Sequence, residues 1–260
     1  MQNHSSQYDF PTILAPLKAN GIVIPHRFAV IRTDTDQLLG IISDQYKLIP
    51  HKEVLERSRE ALIQEKFIFE EKIDTTQDGS HCLIQYTFPN IKIEIQRRDV
   101  VSLQIIVINS YDTSTSIRFL IGAFRVKCAN GLVIGKGLAY YFQRHTSGLD
   151  MKIFQERFRD VSRYFNKSVV PAMKKMGESK LSEETSHQLF EKYEDKKTFP
   201  VWLIGDARRR YEEENPTVWN FYNSLTYSIT HRSGGMNIET KILYSKKAWQ
   251  EADKLLRVVH

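Results

Sequence analysis

Few residues in this chain are spaced for catalysis. Gly135-Lys136-Gly137 invites a phosphate-loop reading, but a Walker loop is a glycine-rich turn ending in Gly-Lys-Ser/Thr at the start of a helix. Here Leu138 follows Gly137 and the first glycine of the motif is missing. A turn after a strand explains the stretch better, although a lysine beside glycines can still meet a phosphate. There is no Gly-x-Gly-x-x-Gly fingerprint either, so no nucleotide cofactor is implied. Cys128 has no histidine at a readable spacing and reads as a small buried residue. His81 and Cys82 are neighbours on an expected strand; their side chains point to opposite faces and cannot hold one metal. His26, His51, His145, His187 and His231 show no metal-ligand spacing. Two cysteines make neither a disulfide framework nor a zinc site, so both are expected unpaired in a reducing cytoplasm.

The stronger signal is charge. Residues 91–180 carry 16 Lys/Arg against 7 Asp/Glu, while the rest of the chain carries 21 against 24. A basic middle between mildly acidic flanks suits an anionic partner, although it equally describes a solvated face. On a helix over residues 150–176, Lys152, Arg159, Arg163, Lys167 and Lys174 fall on the arc opposite Phe154, Phe158, Val161, Phe165, Val169 and Ala172. A row of cations on one helix face can track a phosphate backbone. Arg125, Lys127, Lys136 and Arg144 lie just upstream, with Tyr140, Tyr141 and Phe142 between the last two. Rings stack on bases while cations hold phosphates, which is the chemistry of single-strand binding. The competing reading puts these rings in the seam between sheet and helices. Arg208-Arg209-Arg210 precedes Glu212-Glu213-Glu214, so surface ion pairs four residues apart account for that cluster.

The elements that position these residues have two textures. Residues 22–135 are β-branched and aromatic with frequent turns, and residues 150–260 read mostly as helices. Ile22–Ile31 and Leu38–Ile49 flank a Thr33-Asp34-Thr35-Asp36 turn, and His51–Gln64 reads as a helix. Gln77-Asp78-Gly79 marks a second hairpin. Val100–Ile108 is apolar on both parities and suits a central strand. Asn130-Gly131 offers the positive φ values of a tight turn. Pro171 is expected to kink or divide the basic helix, Ser182 and Ser245 to cap helices, and Asn215-Pro216 to open one. The expected class is α+β: a mostly antiparallel, curved sheet with one inserted helix over residues 1–148. C-terminal helices over residues 149–260 would pack on it as one compact unit. The N-terminus shows no signal peptide, and no stretch is long and apolar enough to cross a membrane.

The stretch "NSYDTSTSIRFLIGAFRVKCANGLVIG" resembles the signature of the phage/plasmid-like family known as domain of unknown function 932. Asn109, Ser110, Asp112, Phe124, Arg125, Cys128, Asn130 and Gly131 carry that resemblance. "RTDTDQLLGIISDQYKLIPHKEVLE" and "WNFYNSLTYSITH" are similar to its flanks, so the likeness runs from about Arg32 to about His231. It implies a setting on phages, plasmids or other mobile elements and assigns no catalytic residue. Some phage recombination proteins of the single-strand annealing type share a curved antiparallel sheet, helices and a basic groove, an analogy of architecture alone. Arg125, on an otherwise apolar strand, must find a partner or face a groove; Asp112 is one candidate partner.

Three functions follow, in this order. The first is a non-enzymatic, cytoplasmic, oligomeric protein that binds single-stranded DNA in a basic groove and promotes strand annealing. Arg125, Lys127, Lys136, Arg144, Arg159, Arg163 and Lys167 would hold phosphates, and Tyr140 and Tyr141 would stack on bases. The second is a protein-interaction module that inhibits a host defence or replication protein. The third is a metal-dependent nuclease built on Asp34, Asp36 and Asp112, although turn chemistry explains those aspartates more simply.

Overall fold

The computed structural model describes residues 7–125, 130–133, 140–143, 156, 158, 160–161, 163–195, 198–232, 236 and 238–258. Strands dominate the N-terminal half and helices the C-terminal half, the α+β class the sequence leads one to expect. The strands are β1 (Thr12–Ala19), β2 (Ile22–Arg32), β3 (Gln37–Ser43), β4 (Glu70–Thr75), β5 (His81–Gln96), β6 (Asp99–Ser110), β7 (Ile117–Arg125), β8 (Asn130–Val133) and β9 (Tyr140–Gln143). Helix α1 (His51–Gln64) lies between β3 and β4. Later come α2 (Val170–Glu178), α3 (Glu183–Asp195), α4 (Val201–Glu212), α5 (Val218–Tyr227) and α6 (Ile238–Val258). Among the described residues no helix is long and apolar enough to cross a membrane.

The strands sort into a three-stranded sheet, β1-β2-β3, and a sheet in the order β4-β5-β6-β7-β8 with β9 also paired to β7. The chain divides into two compact units. One comprises Met1–Thr87, Ile105–Leu120 and Tyr140–Asp160; the other comprises Phe88–Gln104, Ile121–Ala139 and Val161–His260.

In the first unit, Asn20 and Gly21 both take positive φ, which lets a two-residue turn join β1 to β2. Pro16 sits at a register shift of β1, an edge strand, where its missing N–H costs least. Val30, Leu39 and Ile42 turn inward and pack with Phe10 and Tyr111. Helix α1 buries Val54, Leu55, Ser58, Ala61 and Leu62, the stripe its spacing dictates. It is tied to β4 by Arg59, which donates Nε–H to Glu71 at 2.8 Å and Nη2–H at 2.5 Å. Phe158 is buried edge-on to Phe119.

In the second unit, the basic helical segment is interrupted. A π-helical turn over Phe165–Val169 precedes Pro171, which lies in the first turn of α2. A proline ring clashes with the carbonyl four residues back, and a widened turn relieves that clash. Ser182 caps α3, accepting from the Thr185 N–H at 3.1 Å. Helix α5 starts later than Asn215-Pro216: Thr217 is its cap and accepts from the Asn220 N–H. The hydroxyl of Thr217 offers the acceptor that a proline start lacks. Trp219, Phe221, Tyr222 and Leu225 of α5 are fully buried, and Phe221 meets Phe190, Tyr193 and Tyr211. Ser245 does not cap a helix. It is buried seven residues inside α6, which begins at Ile238.

The Asn130-Gly131 turn is also corrected. Both residues belong to β8, opposite Arg125 and Phe124, and are strand residues.

Candidate functional site

Of the residues read from the sequence as phosphate contacts, Arg125 is withdrawn from solvent. It is 5% exposed and grips Asp99 with two bonds, Nε–H to Oδ1 at 2.7 Å and Nη2–H to Oδ2 at 2.5 Å. Trp219 donates its indole N–H to the same Oδ2 at 2.8 Å. Asp99, not Asp112, is the partner. The reason is packing: a guanidinium buried on an apolar strand requires a buried carboxylate, and Asp99 is 4% exposed.

Arg163 and Lys167 are exposed, as is Lys174. Val161, Phe165, Val169, Met173 and Met176, on the same segment, are buried. The segment is therefore amphipathic with cations outward, as its pattern predicts. Glu156 and Asp160 are exposed on the preceding turns and dilute the positive charge there. Lys127, Lys136, Arg144 and Arg159 lie outside the described residues, as does Cys128. Tyr140 and Tyr141 are in β9, opposite Leu120 and Phe119. In the arginine cluster, Arg208 pairs with Glu212 at 3.2 Å as expected. Arg209 instead reaches Asp206 at 3.5 Å, and Arg210 lies 3.2 Å over the Tyr227 ring.

A second place, in the first unit, was not anticipated as a site. The turn before β5 and the loop between β6 and β7 meet around His81. Its Nδ1 is 2.9 Å from Ser80 Oγ, and its Nε2 is 2.6 Å from Ser114 Oγ. Ser80 Oγ is in turn 2.8 Å from Asp78 Oδ1, which also accepts the Ser80 backbone N–H at 2.9 Å. Burial alone would raise the Asp78 pKa. Hydrogen bonds from Thr76 and Ser80, with His81 nearby, hold it below the usual carboxylate value instead. Asp112 Oδ2 stands 3.4 Å from His81 Nε2. Thr76, Asp78, Ser80, His81 and Asp112, with Gln37 and Gln77, line an open cleft of about 650 Å³. Asp34 pairs with Arg32 outside it, and Asp36 is a turn residue with φ +53°.

The loop is held in place from below. Asn109 donates Nδ2–H to the Ile49 carbonyl at 3.0 Å and to His51 Nδ1 at 2.8 Å. His51 therefore carries its proton on Nε2, which donates to the Gly79 carbonyl at 2.9 Å. Its ring stacks on Tyr111, centroids 4.0 Å apart, and Tyr111 Oη accepts the His51 backbone N–H. Ser110 Oγ ties both ends of the turn through the Thr115 backbone. Gly40 makes the close approach possible: a Cβ there would lie 2.4 Å from Asp112 Cα. The Asn109, Ser110 and Asp112 positions of the signature thus build and brace this loop.

The family described as domain of unknown function (DUF932) matches residues 38–255. The chain belongs to that family. No solved structure matches it. The matched span contains the Asn109–Ser114 loop, the Arg125–Asp99 pair and the amphipathic segment, so these are features of a DUF932 domain.

Proposed function

We propose that this DUF932 protein binds single-stranded DNA. The observation that supports the reading best is the amphipathic segment, whose Arg163, Lys167 and Lys174 face solvent while Val161, Phe165 and Val169 are buried. Buried apolar residues fix the segment and leave these cations on its solvent face. Phosphates then hold the strand by charge, with counterion release as the driving force. Lys127, Lys136, Arg144 and Arg159 extend the contact set on the grounds of sequence, and Tyr140 and Tyr141 supply rings for stacking. Arg125 is removed from that set because Asp99 neutralises it inside the fold. The reading extends to an oligomer that promotes strand annealing in the cytoplasm of a cell hosting a phage or plasmid. A gel-shift titration of a fluorescent oligonucleotide tests it. The expected result is a shift of the single strand that fades steeply with salt; no shift at low salt overturns it.

A second reading, a module that docks on a host defence or replication protein, is favoured by the outer face of the β1-β2-β3 sheet. Ile13, Ile31 and Leu38 are aligned across the three strands, and Ile41 shares that face through Ala29. Ile13, Leu38 and Ile41 are all about half exposed. Exposed apolar side chains on one sheet face suit a protein partner better than a polyanion. This reading takes first place if no oligonucleotide is bound.

A further inference from the structure

For a neutral His81 ring, the hydrogen bonds in the cleft have one consistent proton arrangement. The ionised Asp78 carboxylate accepts and cannot donate, so the Ser80 hydroxyl proton points to it. Ser80 Oγ must then accept from His81 Nδ1–H. A neutral imidazole protonated at Nδ1 leaves the Nε2 lone pair facing Ser114 Oγ, 2.6 Å away, and the Ser114 hydroxyl donates to it. Ser114 is exposed, and it is bonded to two cleft-lining residues, His81 through its hydroxyl and Asp112 through its backbone N–H. Thr113, beside it, has φ +64°, a conformation that costs a β-branched residue energy and that clusters at functional sites.

We propose that Ser114 is a nucleophile and His81 its general base, in a site that cleaves acyl esters. The geometry is that of a serine paired with a base whose far nitrogen is oriented by a third group, here Ser80 backed by Asp78. The described lining has carboxylates at Asp78 and Asp112 and no lysine or arginine, which disfavours phosphate esters and suits neutral or cationic acyl substrates. In the first step Ser114 Oγ bonds the acyl carbon while its proton passes to His81 Nε2. Asp112, 3.4 Å from that nitrogen, favours the imidazolium that forms. The imidazolium then protonates the leaving alcohol oxygen as the C–O bond breaks. A water molecule, deprotonated by Nε2, attacks the acyl-serine and releases the carboxylic acid and the free hydroxyl.

This activity is separate from DNA binding, and its test reads a different signal. A fluorophosphonate probe reacts with an activated serine by forming an Oγ–P bond and expelling fluoride, with the serine proton leaving as HF. The full-length protein should be labelled, and peptide mass spectrometry should place the adduct on Ser114. Ser114→Ala should abolish labelling with an unchanged melting temperature, since the side chain is exposed. His81→Gln should slow labelling by about 100-fold or more, the usual contribution of a general base. Ser80→Ala, removing a positioning residue, should slow labelling by a smaller factor while the adduct stays on Ser114. Oligonucleotide binding should be equal in the wild type and Ser114→Ala. A wild-type protein that takes no label, or a label retained in Ser114→Ala, overturns the proposal and leaves the DNA-binding reading standing.

Discussion

Arg125 and Asp99 form a two-bond ion pair across 26 residues of sequence, with both side chains 6% exposed and the Trp219 indole N–H donating to the same carboxylate. Removing one partner leaves a buried charge without compensation. Asp99→Ala is therefore expected to cost about 3–5 kcal/mol. Replacing both, as Asp99→Leu with Arg125→Leu, should cost less than Asp99→Ala alone, because no charge remains buried. Urea denaturation of the three proteins checks the order. A double variant less stable than the single one would show that the pair is not the origin of the effect.

Gly40 is a tolerance point for the His81 loop. A methyl group there would stand 2.4 Å from Asp112 Cα and 2.9 Å from the Tyr111 carbonyl, both backbone atoms that cannot rotate aside. Gly40→Ala should destabilise the protein by about 1–3 kcal/mol, the range for overpacking. It should also move Asp112 and Ser114 relative to His81. Thermal melting measures the first effect, and the fluorophosphonate labelling rate measures the second.

Cys82 is buried and its thiol is pushed up to about 12, by burial first and then by Asp74 and Glu71. At pH 8 only about one molecule in ten thousand would then carry the thiolate, which is the reactive form. Alkylation of Cys82 in the native protein at pH 8 should be slower than in urea by at least 100-fold, followed by mass spectrometry of the peptide containing residue 82. Equal rates would mean that the strand opens readily.

Much of the fold was legible. The 3.6-residue spacing of Val54, Ser58 and Leu62 gave α1 its bounds, and the Thr33–Asp36 turn gave the β2–β3 hairpin. β1 escaped because Pro16 interrupts it, and the register shift that accommodates a proline leaves no trace in the pattern. The Asn130-Gly131 turn failed because those residues favour turns without requiring them; pairing with β7 took precedence. The Asp99 partner of Arg125 was hidden by sequence distance, since only a long-range fold brings the two together. The His81 site was hidden for another reason. Gln77-Asp78-Gly79-Ser80 and Asp112-Thr113-Ser114 both read as turn chemistry, which they also perform. One signal was available. Counting equal steps outward from the Arg97-Arg98 turn reaches His81 in one direction and Ser114 in the other.

The most direct test of the DNA-binding account is the salt dependence of single-strand affinity for the wild type and for a triple variant, Arg163→Ala, Lys167→Ala and Lys174→Ala. These side chains are exposed, so melting should barely change. Each phosphate contact contributes a slope of about −0.7 in log affinity against log salt for single strands. Losing three contacts should flatten the slope by about 2 and weaken all sequences alike, since phosphate contacts carry no base information. An unaltered slope in the triple variant would contradict the account and make the segment a solvated face.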